Sequence, residues 1–262
     1  MNFSQLLSSF PLWGLFVGAV LIICLSFEGG FLFGKHQCRR SQKEKDSPIG
    51  PMIGATLGLL AFMLSFTFGM AASHFFERQQ TVLAEVAAIR STYALTGLVS
   101  EASREKVRKL LREYVDIRSN VRSAQELKST IIRSEEIHDL LWTEAISGEI
   151  KSSGASSSWV FVQSLNDMIN LHFKRLKIGL GQRIPSTIWI VLYGLAILAI
   201  AGMGYHAGLF GHRGSFAYLV LILTFSGVLV LITDLDRSRQ GLFKVSQQPM
   251  IDLQKKMNLD KL

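Results

Sequence analysis

Four stretches of the chain stay apolar for long enough to cross a bilayer, which takes about 20 residues of helix at roughly 1.5 Å each. The first runs from about Phe10 to Phe33 and is broken by Glu28; the second runs from about Ile49 to Ser73. The third follows "RIPS" and runs from about Thr187 to Tyr205, and the fourth covers about Phe216 to Thr233. "KHQCRRSQKEKDSP" joins the first two, and the tight "HAGLFGHRG" joins the last two. The pattern predicts an all-α polytopic membrane protein. Two transmembrane helical hairpins, at residues 10–74 and 184–234, flank a helical extramembrane region at 75–183, and a C-terminal tail follows at 235–262.

The extramembrane region is too polar to insert, and its apolar positions recur at helical spacing. Val82, Val86, Ile89 and Tyr93 form one stripe; Val107, Leu110, Tyr114, Ile117 and Val121 form another. A third amphipathic piece covers about Ser129 to Ile146. "SGEIKSSGASSS" reads as a Gly/Ser-rich turn and "WVFVQSLNDMINLHFKRLKIGL" as a further helix. "SHFFERQQTVLAEVAAIR" holds neither Gly nor Pro, so the second span is expected to continue unbroken as a stalk. Four crossings put the tail on the same side as this region, and Leu242, Val245, Met250, Leu253 and Met257 give the tail a partly apolar surface that needs a partner.

Composition agrees with a membrane protein: 48% of residues are apolar and the mean hydropathy is +0.29. The net charge of +8 does not point to nucleic acid, because the basic residues are interleaved with acids along helices and no zinc-knuckle, RNP or basic-region pattern occurs. Cys24 and Cys38 lie on one short segment, which makes no disulfide framework or metal site. The N-terminus lacks the positive region and cleavage site of a secretory signal, so the first span is expected to be retained. No Gly-x-Ser-x-Gly elbow, Gly-rich phosphate loop or His-Glu-x-x-His is present, and the six histidines are scattered. No enzyme and no cofactor is expected.

Three places could carry function. A carboxylate within a span costs on the order of 2.5–3.5 kcal/mol at the bilayer centre, so Glu28 is either a shallow residue paired with a basic neighbour or part of an ion path. In the second span Gly50, Gly54 and Gly58 recur every fourth residue, spacing that lets helices approach closely in lipid. Phe62 and Phe66 continue that row, either as packing residues or as the wall of a path, and Phe68 points nearly the opposite way as a packing residue. After the fourth span, Asp234 and Asp236 sit where negative charge opposes the helix dipole, so pairing with Arg237 or Arg239 is expected.

"FMLSFTFGMAASHFFERQQ" resembles the pore helix of bestrophin anion channels, with its Phe-x-Leu-x-Phe core followed by Arg and an aromatic pair. More closely, the whole chain is similar to a bacterial bestrophin-like family through "LLAFMLSFTFGMA", "EVAAIRSTY", "LLREYVDIR" and "DLDRSRQGLFKVSQQPM". The resemblance implies a multi-pass protein of the bacterial inner membrane. It also implies a homo-oligomer, a small ring embedded in the lipid bilayer, with small anions passing along the second spans. The three neck positions of a bestrophin fall on Gly58, Phe62 and Phe66, so glycine stands where the first apolar ring would be. Phe75 and Phe76 precede Arg78 instead of following it, Ser238 stands where proline is expected, and only Asp234 and Asp236 correspond to the acidic calcium clasp of animal bestrophins.

The competing reading is a membrane-anchored interaction or signalling protein whose helical region binds a partner. A transporter would call for broken helices near the midplane, and only the Gly-rich start of the second span hints at one. Sidedness has two readings. The first loop carries Lys35, Arg39, Arg40, Lys43 and Lys45 against two acids, which places that loop in the cytoplasm; the bestrophin resemblance places the helical region and both termini there.

Overall fold

The computed structural model of the chain describes residues 10–40, 49–120, 124–146, 155–211, 216–237 and 241–260. Val121, Arg239 and most of the Gly/Ser-rich turn fall outside them. The helices are α1 (Leu12–Arg40), α2 (Ile49–Leu95), α3 (Glu101–Ser119), α4 (Ala124–Ile146), α5 (Ala155–Gly181), α6 (Ser186–Phe210), α7 (Phe216–Asp236) and α8 (Gln248–Leu259). The described residues form no strand. Four helical segments are long and apolar enough to span a bilayer, and the protein is a multi-pass membrane protein.

α2 is 47 residues long, about 70 Å at the usual helical rise. It continues past the apolar boundary because nothing between Met70 and Thr96 stops it; the chain then tightens into a 3₁₀ turn at Thr96–Leu98, around Gly97. α1 likewise runs beyond Phe33 to Arg40, because loss of hydropathy marks the edge of a membrane and not the end of a helix. α4 begins at Ala124, earlier than the expected Ser129, and Ala155–Ser158, read as part of a turn, belong to the first turn of α5.

The chain divides into two compact units, Met1–Phe75 with Gln182–Lys244, and Phe76–Gly181 with Val245–Leu262. In the first, Ile23, Phe27, Leu60, Trp189, Leu192 and Ile232 belong to one buried core. Its tightest contact joins α1 to α6, the third span. A Cβ on Gly30 would collide with the carbonyl of Ala201, and one on Gly34 with that of Tyr205; reciprocally, Gly204 abuts Phe27 and Gly208 abuts Phe31. The paired numbers rise together, so α1 and α6 run parallel, as first and third spans must when each crossing reverses direction. Small residues four apart on both helices bring the backbones together, which in lipid supplies dispersion contact where no hydrophobic drive exists. The ring of Tyr218 on α7 lies 4.9 Å from that of Phe27.

The second unit is a water-type helical core. Ile89 of α2, Leu111 and Tyr114 of α3, Leu141 of α4, Leu165 of α5 and Leu253 of α8 belong to it. The second stripe is rotated from its expected setting: Val107, Leu111, Tyr114 and Val115 are fully buried, while Leu110 and Ile117 pack only partly. The tail finds a partner from Met250 onward, whereas Leu242, expected on the same surface, is 84% exposed. Met250, Leu253 and Met257 are buried, Gln254 Nε2 donates to Asp116 Oδ1 at 2.8 Å, and Arg112 Nε donates to the carbonyl of Met257 at 3.3 Å.

Candidate functional site

The membrane part of α2 is buried along one narrow edge, made by Leu60, Leu64, Thr67 and Ala71. Thr67 stays on this apolar edge because its hydroxyl donates to the carbonyl of Met63 at 2.6 Å. Only 11% of the apolar window of this span is buried, the least of the four. On the uncovered side lie Gly54, Gly58, Phe62, Ser65, Phe66 and Gly69, with Phe62 67% and Phe66 56% exposed. Phe68, expected to pack, is 40% exposed.

The glycine row does not pack within the chain. Nothing lies within 4 Å of a Cβ built on Gly54 or Gly58, and His206 Nε2 is 4.0 Å from one on Gly50. Close helix packing inside the subunit belongs to Gly30, Gly34, Gly204 and Gly208, which sequence reasoning passed over although "GFLFG" and "GYHAG" carry the same four-residue spacing.

The acidic pair at the end of α7 accepts backbone amides as well as facing basic side chains. Asp234 accepts the backbone N–H of Leu242 at 3.0 Å and of Phe243 at 3.1 Å, both at Oδ2. Gly241 is required in this loop: its φ is +146°, and a Cβ there would strike the Asp234 carboxylate. Asp236 Oδ1 accepts the N–H of Ile184 at 3.0 Å and stands 3.8 Å from His74 Nδ1. Arg237 Nη2 donates to the carbonyl of Phe10 at 2.6 Å. Both carboxylates therefore pin loops through backbone amides, and Asp234 also attracts the Arg237 guanidinium electrostatically; Arg239 lies outside the described residues. Glu28 is half-buried on α1, two residues before the close contact at Gly30.

In the second unit the structure gathers a buried ionic cluster that sequence reasoning missed. Glu85 of α2 is fully buried and is met by Arg118 Nη2 at 3.0 Å, by Arg175 Nη1, and by the Tyr114 hydroxyl at 2.7 Å. His172 Nδ1 lies 2.9 Å from that hydroxyl, and Arg175 also donates to Gln247 at 2.7 Å. Burial alone would raise the Glu85 pKa. His172, Arg175, Arg118 and Tyr114 together outweigh it and hold the carboxyl far below the usual carboxylate range. Burial and the Glu85 charge push the Tyr114 phenol well up. The cluster ties α2, α3, α5 and the approach to α8 through charge-assisted bonds, whose strength depends on every partner being present. A signal was available: Glu85 lies within the apolar stripe of Val82 and Ile89, and His172 and Arg118 also interrupt apolar faces.

Comparison with curated proteins and with solved structures finds no match. The family model described as Bestrophin-like domain matches residues 20–250, which takes in most of the first span, the other three spans and the helical region between them. The chain belongs to the bestrophin-like domain family.

Proposed function

We propose that the protein is a passive anion pathway formed by a homo-oligomer in the bacterial inner membrane, with α2 of each subunit around a shared axis and Gly58, Phe62 and Phe66 lining it. The observation that carries this reading is the face of α2 left bare by its own subunit. That face is rich in small residues and phenylalanine, with Met52 and Leu59 at its edge. Gly54 and Gly58 allow neighbouring copies of α2 to approach closely. Phe62 and Phe66 lie one turn apart, about 6 Å along the axis, and form two apolar collars. Such collars exclude water until they dilate, and their ring edges carry the partial positive charge that suits anions. Liposomes test this: the Phe62→Ala/Phe66→Ala double variant passes chloride faster than wild type. Equal flux from wild type, double variant and empty liposomes overturns the pathway and leaves the membrane-anchored interaction protein.

A further inference from the structure

α4 presents Glu135, His138, Asp139 and Trp142 at three- and four-residue steps, and α5 presents Asn166 and Phe173 opposite them; together they line a cleft of about 260 Å³ within the second unit. Its most unusual feature is His138. The residue is 4% exposed, yet neither ring nitrogen has a hydrogen-bond partner. A buried polar group without a partner costs stability unless something else satisfies it. Its ring is fixed by neighbours, 4.7 Å from the ring of His172 in an edge-to-face arrangement and 5.1 Å from that of Tyr114.

From this geometry we infer that the cleft is a binding site for a small primary or secondary organic amine in its protonated form. Each wall selects for that chemistry. Glu135 and Asp139 make no ion pair among the described residues, and no Lys or Arg lines the cleft, so the local field favours a cation and rejects a carboxylate or phosphate. Trp142 and Phe173, 37% and 49% exposed, offer ring faces and apolar surface to a cation with a hydrocarbon body. His138 supplies an acceptor for an ammonium N–H. Burial and the neighbouring His172 push its imidazole down to about 3, so at neutral pH it keeps a free lone pair. No three His, Cys, Asp or Glu side chains among the described residues converge as a metal ion would require. The volume lies just under the roughly 300–1,000 Å³ of drug-sized sites, which sets the ligand at the size of a short alkylamine.

The test is calorimetric titration of the full-length protein in detergent with n-butylammonium, tetramethylammonium or butyrate, at constant ionic strength. Saturable binding of n-butylammonium at one per chain is expected, with tetramethylammonium, which has no N–H to give, bound about tenfold more weakly and butyrate not at all. Glu135→Gln and Asp139→Asn change exposed side chains, so the fold survives, as far-UV circular dichroism will report; each weakens n-butylammonium about tenfold. No saturable binding to wild type, equal binding of tetramethylammonium, or unchanged affinity in both variants overturns the site.

Discussion

The hydroxyl of Tyr114 donates to Glu85 Oε1 at 2.7 Å while standing 2.9 Å from His172 Nδ1, so one phenol joins the only acidic member of the buried cluster to a histidine on another helix. Removing Glu85 leaves Arg118 and Arg175 facing each other without a counter-ion. Glu85→Ala should therefore destabilise the second unit by about 3–5 kcal/mol, and Tyr114→Phe by about 1–3 kcal/mol. Thermal unfolding in detergent, followed by helical circular dichroism, measures both.

Acid should weaken the same unit in two stages. Burial and the neighbouring His172 hold His138 neutral down to about 3 when folded, but it takes a proton near the ordinary imidazole value of about 6.5 when unfolded. The unfolded state thus binds more protons in that window, and stability falls as pH drops through it. Glu85 acts in the same direction at lower pH: its depressed folded pKa gives stability that is present above the ordinary carboxyl range, about 4, and is lost on further acidification. His138→Asn should flatten the upper stage and leave the lower one, as unfolding midpoints across pH 3–8 will show.

Two glycine rows should respond in opposite ways. Gly30→Ala forces a methyl into the Ala201 backbone and should cost roughly 1–3 kcal/mol or more, because overpacking there parts α1 from α6. Gly54→Ala meets nothing inside the subunit; it should leave subunit stability unchanged and, if the proposed homo-oligomer forms through this row, lower the mass seen in multi-angle light scattering.

Asp234 and Gly241 should show strong coupling. Asp234→Ala strips the acceptor from two amides and should cost about 1–3 kcal/mol. Gly241→Ala clashes with the carboxylate and also strains a backbone at φ +146°. In the double variant the clash is gone, so the loss should be smaller than the two single losses added, by about 0.5–3 kcal/mol.

Deleting the tail from Val245 onward should expose the apolar surface that Met250, Leu253 and Met257 cover. Limited proteolysis should then cut the second unit while the spans stay intact.

How much of this was legible followed from what each signal needs. A membrane span announces itself segment by segment, because each must be apolar whatever it touches; all four were readable. The unbroken α2 was readable from an absence of Gly and Pro, and the buried tail from Met250, Leu253 and Met257 at three- and four-residue steps. Close packing is different in kind, since it depends on which helix lies opposite. The row at Gly50, Gly54 and Gly58 is the most regular in the sequence, yet the helices meet at Gly30, Gly34, Gly204 and Gly208. At Asp234 helix polarity points to a basic neighbour such as Arg237, but not to the amides of Leu242 and Phe243 that the chain returns to that carboxylate. The place of Glu85 in the stripe of Val82 and Ile89 implies burial, but its partners Arg118 and Arg175 come from α3 and α5 and show only in the fold.

The parallel contact of α1 with α6 also sets a schedule for synthesis. Ala201 is made about 170 residues after Gly30, and at roughly 5–20 residues per second α1 waits on the order of 10–30 s in the bilayer before its partner arrives. During that interval its grooved face must be covered by lipid or by the insertion machinery. Nascent chains stalled before the third span should be the form that quality-control proteases take.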